Sequence, residues 1–480
     1  MQALPLFPLG DLLARYRLSF VFLALLFGAG SILLTTNGCG GGVSQERKFH
    51  HIVIIFQENR TPDNLFHDPV LIKAGADIAS SGMNSAGQTI ALREVPLGIT
   101  YDMDHSNRAF KAMFDGGKMD GADRIRPNCA GQPTCPPRPN FVYVRGNDVA
   151  PYFQMAEQYT FGDRMFQTNQ GASFPAHQFI VSGTSAPSAD SNSFLADNAL
   201  GTIGILSTGC TAPPQELVLA LDASGHQSYV YPCTDHPTLT DELNEKNISW
   251  KYYSPSAGSP WTAPNAIQHM CGPNAAPPNA TSCVGNDWVQ HVVLYTSGDP
   301  APILTDITNS QLPEVTWVMP AGQNSDHAGG LEGIGGPSWV ASIVNAIGNS
   351  QYWADTAIFV TWDDWGGWYD HVPPFAVVND GKSWGSGYIY GFRVPLIVIS
   401  PYTRAHYISH ANHDFGSILR FVEENFDLPA LGYADSYAPD DFSDSFDFQQ
   451  HPLTFRTIDA PLKADHFIHD TRPPLDPDDD

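Results

Sequence analysis

Five short apolar runs limit most strongly what this chain can fold into: HIVIIF (51–56), FVYV (141–144), EVTWVM (314–319), AIFVTW (357–362) and VPLIVIS (394–400). Each is rich in Val, Ile or aromatic residues and is followed by polar or Gly-rich residues. Runs apolar on both faces predict central strands of a largely parallel sheet covered by helices. Helical stripes lie between or beyond them. After Pro337-Ser338, the residues Trp339, Val340, Ile343, Val344 and Ile347 form one apolar face, and Gly348 can end it. DFGSILRFVEENF forms another, with Asp414 as its cap and Ile418, Leu419, Val422 and Phe426 facing the core. The fold class is therefore α/β.

In an open α/β sheet, ligands bind beyond the carboxyl ends of the strands. Three runs end in groups with chemistry: HIVIIF in Gln57-Glu58-Asn59, EVTWVMPAGQNS in Asp326-His327, and AIFVTW in Asp363-Asp364. One site fed by three strand ends is the economical reading. Glu, Asn and two Asp offer hard oxygen ligands for Mg²⁺, Ca²⁺ or Mn²⁺, or with histidine for Zn²⁺. Gly366-Gly367 would let the backbone pass close beside that site.

Taken singly, these residues also have plainer roles. ENRTPDN and the Asp363-Asp364 loop read as turns, and Trp362, Trp365 and Trp368 read as core or pocket wall. Arg393 and Arg404 flank VPLIVISPY, where a structural ion pair and a phosphate contact are both open. Asp370 and His371 are second-sphere candidates beside the acidic pair.

Composition excludes some functions. A formal charge of −26, from 24 basic and 50 acidic residues, repels nucleic-acid phosphates and anionic membrane surfaces. No nucleic-acid partner is expected. At the N-terminus, Arg15 and Arg17 precede LSFVFLALLFGAGSILL and then TTNGCGGG, the pattern of an export signal; an uncleaved anchor is the alternative. Gly38-Cys39 is similar to a bacterial lipoprotein site, which would give Cys39 a lipid anchor; ordinary cleavage is equally open. Export would place the protein in the periplasm, on the outer surface or in the medium.

Setting Cys39 aside, six cysteines remain in near pairs: Cys129 with Cys135, Cys210 with Cys233, and Cys271 with Cys283. Short loops cost least to close, so three local disulfides in an oxidising compartment are expected. The Ala-, Pro-, Ser-, Gly- and Asn-rich stretch 186–300 reads as a Cys-containing, disulfide-stapled insertion over the sheet. The chain then divides into an export signal (1–39), a linker (40–48), a catalytic core (49–185 and 301–465), the insertion and an acidic tail (466–480), whose end PPLDPDDD reads as solvated.

The blocks QENRTPDNLF, YDMDHSNRAF, GGKMDG, MAEQYTFGDRMF, ASFPAHQFIVSGTS, VTWVMPAGQNSDHAG, DDWGGWYDHV and GFRVPLIVISPYTR run in order over most of residues 49–430. Together they resemble the phosphoesterase family of bacterial phospholipase C, plant non-specific phospholipase C and an acid phosphatase branch, within the alkaline phosphatase superfamily. The resemblance implies an alkaline-phosphatase-like core with a central, mostly parallel sheet flanked by helices. It puts the family's metal ligands on Glu58, Asn59, Asp363 and Asp364, its nucleophile on Ser173, and two site histidines on His105 and His327. His371 also falls in a family block. Phe174 and His177 depart from the usual wording after the nucleophile. The implied activity is metal-dependent phosphoric-ester hydrolysis through a phosphoserine. The substrate, phosphomonoester or phospholipid diester, stays open. A sulfatase is the nearest enzyme alternative, although SFPAH lacks the arginine of the sulfatase motif; a silent ligand-binding lipoprotein is the alternative of another class.

Overall fold

The computed structural model describes residues 47–129, 134–199, 208–297, 299–329, 335–376 and 389–475. The expected export signal, Cys39 and most of the linker lie outside them. No helix among the described residues is long and apolar enough to cross a membrane.

The strands that matter here are β1 (His51–Gln57), β2 (Thr160–Phe166), β3 (Ser193–Ala199), β4 (Val218–Asp222), β5 (Gln227–Val230), β6 (Trp250–Ser254), β7 (Val292–Leu294), β8 (Val315–Val318), β9 (Thr356–Trp362), β10 (Arg393–Ile399), β11 (Tyr407–Ser409) and β12 (His413–Asp414). The helices are α1 (Asn107–Phe114), α2 (Ala150–Gln158), α3 (Ser173–Ser182), α4 (Gly335–Gly348) and α5 (Phe415–Phe426).

Nine strands form one sheet in the order β7-β6-β8-β1-β9-β10-β2-β11, with β12 also paired to β2. The pairings from β7 through β9 are parallel, β10 is antiparallel to both neighbours, and β11 and β12 run parallel to β2. Eight strands thus share a direction. The carboxyl ends of β1, β2, β8 and β9 meet the amino end of β10 at one edge. The α/β reading of the sequence holds.

β1, β8, β9 and β10 are buried throughout except His51 at the start of β1, as runs apolar on both faces require. The stripe of α4 is buried on the sheet. Asp414 caps α5 in a reciprocal box with Ser417, its carboxylate accepting from Ser417 N at 2.8 Å.

Several expectations are corrected. FVYV is not a central strand: Val142–Val144 pairs with Arg93–Val95 in a two-stranded ribbon, and Tyr143 faces partly outward. VPLIVIS is central but runs against its neighbours. β2 joins the sheet between β10 and β11, and at Gly162 it passes so close to β10 that an added Cβ would lie 2.8 Å from Leu396 Cδ2.

The stretch 186–300 is only partly a layer apart. β3, β4 and β5 form a separate antiparallel sheet, whereas β6 and β7 extend the central one, with Trp250, Tyr252 and Tyr253 buried in its core. All three expected disulfides are formed. The tail is not wholly solvated. Leu475 N donates to Gln323 Oε1 at 2.8 Å and Gly322 N to Leu475 O, tying residues before 476 to the loop after β8.

Candidate active site

Parallel pairing of β1 with β9 sets Gln57 opposite Trp362, so the residues that follow, Glu58-Asn59 and Asp363-Asp364, emerge side by side. Their backbones are fixed to each other. Asp363 Oδ1 accepts from Asn59 N at 3.0 Å and from Asp364 N at 2.7 Å, and Asp364 Oδ1 accepts from Gly366 N at 2.7 Å. Each aspartate thus spends one oxygen on the backbone and has the other for the site. Asn59 turns the chain at φ +58°, a region Asn tolerates better than most residues. Gly366 (φ +62°) passes so close that an added Cβ would lie 2.4 Å from Asn59 O, and one at Gly367 (φ +72°) would lie 2.4 Å from Met103 Cβ. The expected close passage of the Gly-Gly turn is therefore present.

Ser173 opens α3, which follows β2. The turn before it is held by Gln167 Nε2 donating to Gly171 O (2.9 Å) and Asn169 Nδ2 donating to Gly171 O and Ala172 O (both 3.0 Å). Trp365 N donates to Gln167 Oε1, joining this turn to the aspartate loop. Ser173 Oγ lies 3.1 Å from Asp364 Oδ2 and 3.5 Å from Glu58 Oε2. As the first residue of a ten-residue helix, it lies at the end that favours an anion.

Three histidines approach this group. His105 Nδ1 faces Met103 O at 2.9 Å, and a carbonyl only accepts, so Nδ1 carries the proton. Nε2 then accepts from Asn59 Nδ2 at 3.2 Å, which turns Asn59 Oδ1 away. His105 Nε2 is also 3.9 Å from Asp364 Oδ2. His327 has its Nδ1 fixed to Ala328 O at 2.7 Å, and its ring centre is 6.2 Å from that of His105.

The third, His177, was not singled out from the sequence as a site residue. It is fully buried, with Nε2 3.3 Å from Glu58 Oε1 and 3.8 Å from Asp363 Oδ2. Burial pushes its imidazole down to about 4, against the pull of Asp363. A signal existed: positions i and i+4 share a helix face, so a helix opening at Ser173 carries His177 beside it.

The donor set fits a cation. Asn59 Oδ1 and Asp363 Oδ2 are buried without a hydrogen-bond partner, a costly state unless an ion meets them. Ligand atoms of Glu58, His177 and Asp363 lie within 4.8 Å of one another. Of the predicted set, Glu58, Asn59, Ser173, Asp363 and Asp364 are fully buried, His105 is 1% exposed and His327 8%. His327 is thus the least buried of the set, although its Nε2 is itself buried.

The remaining predicted residues lie elsewhere. Arg393, at the amino end of β10, is fully buried and engaged at every nitrogen. Its Nε meets both Asp370 oxygens (3.0 and 3.1 Å), Nη1 meets Asp77 O and Asp163 O, and Nη2 meets Asp63 Oδ1 (3.2 Å) and Asp370 Oδ2 (3.0 Å). No donor remains for phosphate. His371 bridges Asp63 (2.7 Å) and Asp77 (3.0 Å); burial pushes its imidazole down, but Asp63, with Asp370 nearby, raises it to about 9. Asp370 and His371 thus belong to an ion network with Arg393, not to a phosphate contact. Arg404 is exposed, beside the Tyr407 ring. Trp362 and Trp368 are buried wall: Trp362 Nε1 donates to Asp326 Oδ2 and Trp368 Nε1 to Asn59 O.

The model of the Phosphoesterase family matches residues 49–429. Phospholipase C B of Mycobacterium tuberculosis is 24% identical over 445 residues, covering 84% of this chain and 78% of that protein. The non-hemolytic phospholipase C of Pseudomonas aeruginosa is 23% identical over 407 residues, covering 78% of this chain and 54% of that protein. A crystal structure of a protein in the alkaline phosphatase superfamily from Vibrio parahaemolyticus is 10% identical, covers 82% of this chain and 70% of that one, and superposes with a TM-score of 0.35.

Proposed function

The chain belongs to the Phosphoesterase family, and from that premise we propose an exported, metal-dependent phosphoric-ester hydrolase of phosphatase or phospholipase C type that works through a phosphoserine at Ser173. The observation that carries this reading is the Ser173 hydroxyl, 3.1 Å from Asp364 Oδ2 within a buried set of carboxylates. A serine hydroxyl is a weak nucleophile at neutral pH and needs help to ionise. A divalent cation held by Glu58, Asn59, Asp363 and Asp364 would stabilise the alkoxide and the charge on the phosphoryl group.

Asp364 aims the Ser173 hydroxyl, and the amino end of α3 favours the negative charge that develops there. Ser173 Oγ, its proton passing to Asp364 Oδ2 to which it already donates, forms a bond to phosphorus as the bond to the leaving oxygen breaks. His327, the least buried residue of the set, is assigned the proton for that oxygen. Water then attacks phosphorus and releases Ser173 and phosphate or a phosphomonoester. His105, with its Nε2 accepting from Asn59 Nδ2, orients Asn59 toward the cation.

The relatives are named as phospholipases C, which makes a phospholipid headgroup diester one of two substrates to test; the other is a simple phosphomonoester. The experiment uses protein lacking residues 1–39. It compares p-nitrophenyl phosphate with p-nitrophenyl phosphorylcholine, with and without chelator, beside Ser173→Ala. Chelator-sensitive release that requires Ser173 is the expected result, and the better substrate selects the branch. No release from either with added Mg²⁺, Ca²⁺, Mn²⁺ or Zn²⁺ would refute the reading. Export rests on residues 1–39, and a lipid at Cys39 would appear as added mass on the mature N-terminus.

A further inference from the structure

We propose that His177 is a nitrogen ligand of the site's cation, and that it selects a borderline transition ion of the Zn²⁺, Fe²⁺ or Co²⁺ type over Ca²⁺ and Mg²⁺. This rests on the metal-dependent reading above and deepens it.

Three observations carry it. The ring is fully buried and neither nitrogen has a hydrogen-bond partner, an expensive state for an imidazole unless something binds it. Its Nε2 is 3.3 Å from Glu58 Oε1 and 3.8 Å from Asp363 Oδ2. The shorter value is roughly the spacing of two ligands that each lie about 2.0–2.1 Å from one tetrahedral ion. The ring is also held in place: Phe56 meets it edge-on at 5.2 Å, and Trp261 stacks against it at 6.5 Å. A fully buried ring with one aromatic at its edge and another near-parallel to it has little freedom to swing away, so its nitrogen is pre-placed. Ca²⁺ and Mg²⁺ prefer all-oxygen shells, whereas imidazole suits Zn²⁺ and its neighbours. One helix, α3, thereby supplies both the nucleophile and the residue that chooses the metal.

The test is metal binding by the metal-stripped protein, read without turnover. One equivalent of Cu²⁺ should show electron spin-echo modulation from the remote nitrogen of a bound imidazole. The modulation should persist in His105→Asn and vanish in His177→Asn. By competition, wild type should prefer Zn²⁺ to Ca²⁺, and His177→Asn should lose at least about tenfold in Zn²⁺ affinity with Ca²⁺ affinity unchanged. His177→Gln serves if the first variant does not fold, and the wild-type spectrum needs no variant. Modulation that survives in the His177 variants, or a Zn²⁺ affinity they leave unchanged, overturns the inference while leaving the hydrolase standing. A protein that binds no divalent ion at all overturns both.

Discussion

Two buried groups of carboxylates and histidines lie a few residues apart along the loop after β1, one around Glu58-Asn59 and one around Asp63, and they resolve their charge in opposite ways. Around Asp63, the Arg393 guanidinium contacts Asp63 and Asp370, and His371 bridges Asp63 to Asp77, so each carboxylate has a resident cation. Around Asp363, the backbone takes one oxygen of each aspartate, while Asp363 Oδ2 and Asn59 Oδ1 meet no donor. Residue types are almost the same; only the group around Asp63 carries a built-in counter-ion, Arg393. A closed network contributes structure, whereas an open one can take a cation and a phosphoryl group.

The comparison can be broken at either end. The largest effect is expected from Ser173→Ala: turnover should fall by at least about 10³-fold, with melting temperature and metal content unchanged. Retained turnover would put the nucleophile elsewhere. Next, Arg393→Met leaves Asp370 buried without its counter-ion and Asp63 with His371 alone, and should cost about 3–5 kcal/mol in urea unfolding. Metal affinity of the folded fraction should stay the same; a variant that kept its stability and lost metal would merge the two groups.

Third, Asp363→Asn should leave metal-free stability unchanged or raised, since it removes a buried negative charge while an amide oxygen can still accept from Asn59 N and Asp364 N. Metal saturated to ~100 times its Kd should add about 2.7 kcal/mol to wild type and clearly less to this variant. Asp370→Asn should do the reverse, losing stability whether or not metal is present.

The smallest effect concerns pH. His371 is raised to about 9 in the folded state, chiefly by Asp63 against the opposing effect of burial, from an ordinary value of 6.5. Its contribution is fully present below pH 6.5 and is lost as pH rises through about 9. Thermal melts of His371→Gln should show a flatter decline over that window than wild type; parallel declines would remove His371 from the ion network.

Part of this contrast was legible in the sequence. Strand ends after HIVIIF and AIFVTW announce Glu58, Asn59, Asp363 and Asp364, because runs buried on both faces leave their polar ends at one edge of a parallel sheet. Ser173 came from family wording alone, since a serine in a Pro-containing turn has no local signature. Arg393 was ambiguous because its partners are distant in sequence: Asp63, Asp77 and Asp163 approach it only through the sheet. β6 and β7 escaped notice as sheet strands since WKYYS and VVL are short and lie in a Pro- and Asn-rich stretch. His177 was passed over as a departure from the motif, when its helical spacing from Ser173 was the informative feature.

The most direct measurement of the central claim is a rapid acid quench of wild-type enzyme turning over a ³²P-labelled phosphoester, followed by peptide mapping. The account predicts label on the peptide containing Ser173, absent in Ser173→Ala and absent when metal is removed. Turnover with no covalent label, or label on another residue, would contradict it.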